Sequence, residues 1–391
     1  MQNIKTIFDI WNDSIKAVVF WDDEWRTTLL AKHIEPTKWL RKGKILNAEE
    51  LTKSLNNIVE NFSKKLWWDF FDEVFVWISH PESIVRRLSE HKRIMTDEIT
   101  ENDVEHLSKV ISDMAIESNM ETIKIVPVHR VIDKSRIEKD PISLKWKDLE
   151  LIADAFMIPK NFYNWIIEAF NNIWLQISDI IPNILSASEL ILDYDRRDLW
   201  TILVDIWKNQ TSYAVYEDWY PLCYGTLAIW WENVTKDISI WMQMDIKEAE
   251  DIKKTHGTAI VDKNNMEDMP VDIHFLTDII SSRYEQIFER INEHLKALDK
   301  DWRLAWWVIL IWWWAKLPNL DLLSKNIFKL ATFPGKDTTL NVWDISSNIQ
   351  FTNVLWTFVW SNKYQDRIKT TINFDPSKIL WKVKWFFKDL F

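Results

Sequence analysis

The sequence predicts an α/β fold of two related halves, with a small α+β subdomain inserted in the first half and an amphipathic helix at the C-terminus. Three observations carry this. Strand-like and helical runs alternate from residue 4 to 78 and again from 202 to 330. Between 80 and 158 a block of different pattern interrupts them. A short run also recurs: Phe8-Asp9-Ile10-Trp11 is echoed by Val204-Asp205-Ile206-Trp207, each followed by polar turn residues and a second apolar strand.

The elements follow in order. Residues 4–10 and 15–20 read as two strands joined by a tight polar turn. A helix is expected at about 48–65, because Leu55, Ile58, Val59 and Phe62 recur at helical spacing. A short strand at 73–78 follows. The inserted block holds a charged helix at 102–118 and strand-like runs at 123–128 and 149–156. Residues 202–206 and 212–216 form the second strand–turn–strand, then come helices near 245–256 and 275–298, a strand at 308–311 and a helix near 319–330. The implied division is a first half at 1–79, joined by 159–198 and about 344–360, with the insert at 80–158. The second half is 199–343, containing a helical subdomain at 244–300, and a polar linker at 361–374 leads to the terminal helix at 375–391.

Composition narrows the class. A chain of 391 residues, 47% hydrophobic and 27% charged, is globular with a sizeable core. A net charge of −11 argues against nucleic-acid binding through global charge. Cys223 is the single cysteine, so neither an intrachain disulfide nor a four-thiolate metal site exists. With that single cysteine a cytoplasmic location is expected, and the first residues lead straight into a strand-like run without a signal-peptide core. The longest apolar stretch, 304–315, is short of the ~20 residues that span a bilayer.

The oddest numbers are 27 tryptophans against 4 glycines, when glycine normally makes up about 7% of a chain. Together they total what the pair would usually supply. The reading that follows is that many tryptophans stand where glycine belongs, as when UGA codons decoded as glycine are translated as tryptophan. Their positions fit. A hairpin turn that wraps a phosphate needs bare backbone and positive φ, which glycine supplies. An Asp at the preceding strand end can hold Mg²⁺ through water. Asp9 and Asp205 have that place, with Trp11 and Trp207 two residues on. Trp230-Trp231 and Trp312-Trp313-Trp314 fall at strand ends in glycine-like runs.

With that exchange, the chain resembles the FtsA family of bacterial cell-division proteins, in the actin-like ATPase superfamily, over nearly its whole length. The segment from Val204 to Tyr216 is similar to the family's second phosphate hairpin, VDIGGGTTDIAVY. Ala228 to Ile238 is similar to its GGxxVTxDI segment, and Glu248 to Gly257 to its EAExIKxxxG helix. Trp39-Leu40-Arg41-Lys42-Gly43 resembles the GLRKG turn, and Asp140-Pro141 the DP of the inserted SHS2-type subdomain. The resemblance implies an actin-like fold with the two halves around a nucleotide cleft. It implies ATP with Mg²⁺ as cofactors, held by Asp9, Trp11, Asn12, Asp13, Asp205, Trp207, Lys208, Thr211, Trp230 and Trp231 around the phosphates. Glu250 and Lys253, three apart on one helical face, would reach ribose and base, with Trp312, Trp313 and Trp314 walling the adenosine. The bland alternative for Glu250 and Lys253 is a solvent ion pair. Departures weaken the catalytic side: Lys208, Asn209, Gln210 and Ser212 replace Gly, Gly, Thr and Asp, so at most weak ATPase activity is expected.

The terminal segment is read independently. Ile379, Leu380, Val383, Phe386, Phe387, Leu390 and Phe391 form one apolar helical face, while Lys378, Lys382 and Lys388 lie off it and Lys384 at its edge. Such a helix suits an anionic membrane surface, in whose interface it lies flat. A terminal helix packed on the protein is the other reading. FtsA-like proteins end in a membrane-targeting helix, which agrees with the first. The expected function is a membrane tether that anchors and organises the FtsZ ring at the division site. Its partners would be the FtsZ C-terminal tail, other divisome proteins and further copies of itself in protofilaments. The alternatives are a PilM-like pilus-assembly actin homologue and a small-molecule kinase of the same clan.

Overall fold

The computed structural model describes residues 3–11, 14–23, 26–37, 40–41, 44–66, 73–134, 136–137, 140–207, 210–229, 231–261, 272–297, 307–311, 317–335 and 351–371. The chain opens as a meander of β1 (Asn3–Ile10), β2 (Ser14–Asp23) and β3 (Arg26–Pro36), each antiparallel to the next. A short ribbon, β4 (Leu40–Arg41) with β5 (Lys44–Ile45), precedes α1 (Ala48–Lys65). Asn47 caps α1 by accepting the N–H groups of Glu49 and Glu50, and Lys64 and Lys65 sit in its last turn, so charge complements the helix dipole at both ends. Leu51, Leu55, Ile58 and Phe62 bury its apolar stripe. The chain then returns as β6 (Glu73–Ile78), parallel to β1.

The insert contains β7 (Ile84–Arg93), α2 (Glu101–Met114), β8 (Met120–Ile132), β9 (Arg136–Ile137) and β10 (Asp148–Pro159). Its antiparallel sheet runs β7-β10-β8-β9 and closes its own core around Leu107, Ile111, Ile132 and Leu151. After α3 (Lys160–Asn172) come β11 (Asp179–Pro182), parallel to β6, then α4 (Asn183–Ile191) and α5 (Tyr194–Asp198).

The second half repeats the plan. β12 (Thr201–Ile206), β13 (Thr211–Glu217) and β14 (Tyr220–Leu227) form a meander. The helices α6 (Trp231–Trp241), α7 (Ile246–His256) and α8 (Ile273–Ala297) follow. β15 (Trp307–Ile311) pairs parallel with β12, and after α9 (Leu320–Phe328) β16 (Ala331–Pro334) pairs parallel with β15. One sheet runs β11-β6-β1-β2-β3 and the other β16-β15-β12-β13-β14. Strand for strand these are the same arrangement, so the echo between residues 8–11 and 204–207 marks equivalent strand ends.

The last described element is α10 (Thr352–Thr371). Phe351, Val354, Leu355, Trp356, Phe358 and Trp360 seat its first turns in the core of the first half. Residues 361–371, expected as the start of a polar tether, continue this helix. They hold neither Pro nor Gly, and a helix already nucleated by packing propagates cheaply through Lys, Gln and Arg. The sequence reading also passed over β7, where Leu88 alone is fully buried and no clean alternation survives. No helix among the described residues is long and apolar enough to cross a membrane.

An Arg87 cluster helps to fasten the insert to the second half, beside the ring contacts His129–Tyr220 and Phe156–Tyr224. Arg87 of β7 grips the buried Asp154 carboxylate with two hydrogen bonds of 2.8 and 2.7 Å. Its remaining donors reach the carbonyl oxygens of Pro221 and Leu222 on β14, at 2.8 and 2.7 Å.

Candidate functional site

The two equivalent hairpins close in the same way. In the first, Trp11 N–H donates to the Ser14 carbonyl at 3.1 Å; in the second, Trp207 N–H donates to the Gln210 carbonyl at 2.8 Å. Register puts Asp9 opposite Lys16, and Asp205 opposite Ser212. Both acids are fully buried near the end of an all-buried strand.

The turns meet through their tryptophans. Trp11 and Trp207 have ring centroids 4.3 Å apart, and both contact Trp77 from the end of β6, at 5.6 and 5.5 Å. All three indoles are buried. Trp207 Nε1 donates to Asp205 Oδ2, and Trp77 Nε1 donates to Ser186 Oγ at 3.1 Å, whereas Trp11 Nε1 has no hydrogen-bond partner among the described residues. Trp77 was not singled out by sequence, because a lone tryptophan inside a strand reads as core.

Asp9 Oδ2 accepts from Lys16 Nζ at 3.2 Å and from Asn353 Nδ2 at 3.1 Å. Asp205 Oδ2 accepts from Asn183 Nδ2 at 3.3 Å, while Asp205 Oδ1 has no hydrogen-bond partner among the described residues. Burial pushes the Asp205 carboxyl well above the ordinary range, against the hydrogen bonds from Trp207 and Asn183. A carboxyl in that state favours its neutral form. Asn183, at the start of α4, also donates to Ser212 Oγ at 3.1 Å, and Gln210 Nε2 donates to Ser79 Oγ. These bonds tie the second hairpin to the first half. Sequence reasoning missed Lys16, Ser79, Asn183 and Asn353 as site residues; the partners of Ser79 and Asn353 lie 131 and 344 positions away.

Thr211 is fully buried and donates to the Ile229 carbonyl at 2.9 Å. Trp231, expected in a glycine-like run at a strand end, is the buried first residue of α6, with its N–H 3.3 Å from the Trp207 carbonyl. It joins the hairpin to a polar cluster on α6 and α7. Lys253 Nζ lies 2.6 Å from Glu250 Oε2, donates to Thr235 Oγ1 and sits 3.6 Å from the centre of the Trp231 ring. Thr235 Oγ1 also donates to Glu250 Oε2 at 2.5 Å, and Trp231 Nε1 lies 3.4 Å from Glu250 Oε1. Lys253 is 1% exposed, so this is no solvent ion pair. Burial pulls the Lys253 ammonium down to about 7 although Glu250 opposes the shift. Burial disfavours the Glu250 carboxylate, but hydrogen bonds from Lys253 and Thr235 outweigh that and hold it below its ordinary value.

The structure therefore brings Trp11, Trp207, Trp231, Glu250 and Lys253 into one chain of contacts between the hairpins and α7. Trp39, Asn12, Asp13, Lys208, Trp230, Trp312, Trp313 and Trp314 lie outside the described residues, as does the whole segment 375–391. As written, the residues present do not fit the phosphates of a nucleotide: three indoles fill the space where the turns meet, and Asp205 favours its neutral form.

Comparison with known proteins agrees with the fold and the motifs. A family model described as cell division protein FtsA matches residues 202–346. FtsA of Enterococcus hirae is 28% identical over 243 residues, covering 59% of this chain and 55% of that protein. For FtsA of Bacillus subtilis the identity is 22%, with 67% of this chain and 63% of the relative covered. These two alignments thus span less than two thirds of the relatives' own length. FtsA of Borreliella burgdorferi is 22% identical over 91% of each chain. Among solved structures, the PilM-PilN type IV pilus biogenesis complex matches with a TM-score of 0.63 and 13% identity, over 92% of this chain and 98% of that one. MreB 5 of Spiroplasma citri bound to AMPPNP matches at 0.51 and 14% identity, over 94% and 99%. The resemblance read from the motifs is borne out: the sequence relatives are FtsA cell-division proteins, and the fold is that of the actin-like ATPases.

Proposed function

From its place among FtsA-type relatives, we propose that the chain is an actin-like, ATP-binding tether of bacterial cell division. It would bind ATP between the two hairpins, hold the membrane through residues 375–391 and gather the FtsZ ring at the cytoplasmic face of the division site. The single observation that carries the nucleotide part is the meeting of two equivalent hairpins at Trp11 and Trp207, each two residues after a buried Asp. The AMPPNP bound by MreB 5 of Spiroplasma citri supports nucleotide as the ligand class. Binding requires small residues at the turns. Asp9 and Asp205 are then the carboxylates nearest the phosphates, suited to Mg²⁺ held through water. Lys253 and Glu250 would serve the ribose and base. With Ser212 and Gln210 in place of Asp and Thr, turnover would be weak at most.

The membrane part rests on the apolar face of 375–391 and its four lysines. The FtsZ tail would dock on the helical subdomain 244–300, and the insert 80–158 would join copies of the chain into protofilaments. A PilM-like role is the second reading, favoured by the TM-score of 0.63; the sequence relatives and the terminal helix favour the first. Flotation with anionic vesicles tests the tether. The full chain should float and recruit an FtsZ tail peptide, and a chain lacking 375–391 should stay in the dense fraction. Equal flotation of both sinks the tether. Failure of a chain with glycine at 11, 77 and 207 to bind ATP sinks the nucleotide part, since Trp77 contacts both turn indoles.

A further inference from the structure

We infer that Trp77, Trp174 and Trp219 stand at glycine positions, as proposed for the hairpin turns, and that the protein its own cell makes carries glycine there. At Trp77 the inference rests on the nucleotide reading. At Trp174 and Trp219 it rests on backbone conformation alone.

Trp174 follows the C-cap of α3, Ile173. Leu175 N–H donates to the Phe170 carbonyl and Trp174 N–H to the Asn171 carbonyl, both at 3.0 Å. That crossed pair is the Schellman motif, whose residue after the C-cap is left-handed and most often glycine. Trp174 has φ 62° and is 84% exposed. An L-residue there sets its Cβ against its own carbonyl oxygen, and so exposed an indole gains little burial to offset that cost.

Trp219 closes the two-residue turn between β13 and β14, where Glu217 pairs with Tyr220. Asp218 has φ 47° and Trp219 φ 76°. Two positive φ values in a two-residue hairpin define the type I′ turn, for which Asp-Gly is among the preferred sequences. Asp218 supplies the first half of that pair. Of the seven further left-handed positions among the described residues, Asn119, Asp133 and Asn319 hold residues that tolerate the conformation better, and the other four, Lys134, Ser143, Gln243 and Lys329, are neither aromatic nor β-branched. None of the described glycines, Gly225, Gly257 or Gly335, takes a left-handed φ. A bulky aromatic occupies two sites that call for glycine, while the written glycines sit elsewhere.

Trp77 is the third indole between the turns and is fully buried. Glycine at 11 and 207 alone would leave its ring in the same space. Glycine at all three removes the bulk that keeps a polyphosphate out, and it accounts for the lack of fit between the written residues and a nucleotide.

Peptide mapping by mass spectrometry of the protein purified from its source cells tests this. Peptides carrying glycine at 77, 174 and 219 are expected; tryptophan at 174 and 219 overturns the inference. A second test uses the recombinant chain as written. W174G and W219G should raise the thermal midpoint above both the parent and the W174A and W219A variants, by about 2 °C each. Equal midpoints for the glycine and alanine variants overturn it, because a left-handed backbone penalises alanine and spares glycine. Neither position belongs to the cleft. Glycine found at both, with no ATP binding by the glycine chain, would end the nucleotide reading and its Trp77 part and leave the inference at 174 and 219 standing.

Discussion

Trp11 and Trp207 lie 4.3 Å apart, ring centre to ring centre, each projecting from the same point of an equivalent hairpin. This contact joins the two halves where their strand ends face one another. Buried indoles remove roughly 150–250 Å² each from water, about 4–6 kcal/mol apiece by area. As written, the chain seals its cleft with side chains that the motif pattern assigns to open backbone.

Removing one indole should therefore cost stability, and removing all three should open a pocket. W77G alone is expected to destabilise by roughly 3–5 kcal/mol in urea unfolding, since its neighbours cannot collapse into the gap. The triple W11G/W77G/W207G should lose less than the sum of the single variants, because they share one cluster. It should also bind a fluorescent ATP analogue at least about tenfold more tightly than the parent, a gain of about 1.4 kcal/mol.

Asp205 gives a pH signature. Its folded pKa is raised while the unfolded chain ionises at the ordinary value, so the folded state binds the extra proton and stability falls as pH rises above about 4. Asn keeps the shape without titrating. D205N should flatten the decline above about pH 4, read from urea midpoints across a pH series. An unchanged slope would mean that Asp205 is ionised in the fold.

Lys253 acts in the opposite direction. Its folded pKa is pulled down to about 7 from 10.5, so between those values the unfolded chain holds the proton and the folded chain does not. Stability should rise with pH across that window, by up to about 1.4 kcal/mol per pH unit. K253M should abolish the rise. The check is the same denaturation series carried from pH 7 to 10.

Arg87 tests the seam between insert and second half. R87M leaves the buried Asp154 carboxylate without its cation and should cost about 3 kcal/mol or more. R87M/D154N should recover part of that loss. Hydrogen exchange should quicken along β14 in both, because the Pro221 and Leu222 carbonyls lose the same donor.

Where signals were local, the sequence spoke clearly. The cap and stripe of α1, the buried run of β6 and both hairpins lie where periodicity and turn residues put them. What stayed hidden was long-range. Asn353 reaches Asp9 and Asn183 reaches Asp205 only because separate helices pack across the sheets. Trp231, read as part of a glycine-like run at a strand end, opens α6 a few residues after β14, a helix start that the doublet did not announce. The helical course of 361–371 was hidden by its polar composition, which reads as a tether until the packing of Phe358 and Trp360 anchors the turns before it.

The two hairpins match in backbone but not in charge. Opposite Asp9 stands Lys16, a buried cation; at the equivalent place opposite Asp205 stands Ser212, a neutral hydroxyl. A near-symmetric frame thus carries a built-in asymmetry, an ion pair on one wall and a carboxyl facing a hydroxyl on the other. A guest lying between the hairpins would meet two different faces, and the difference between a lysine and a serine would set which way round it enters.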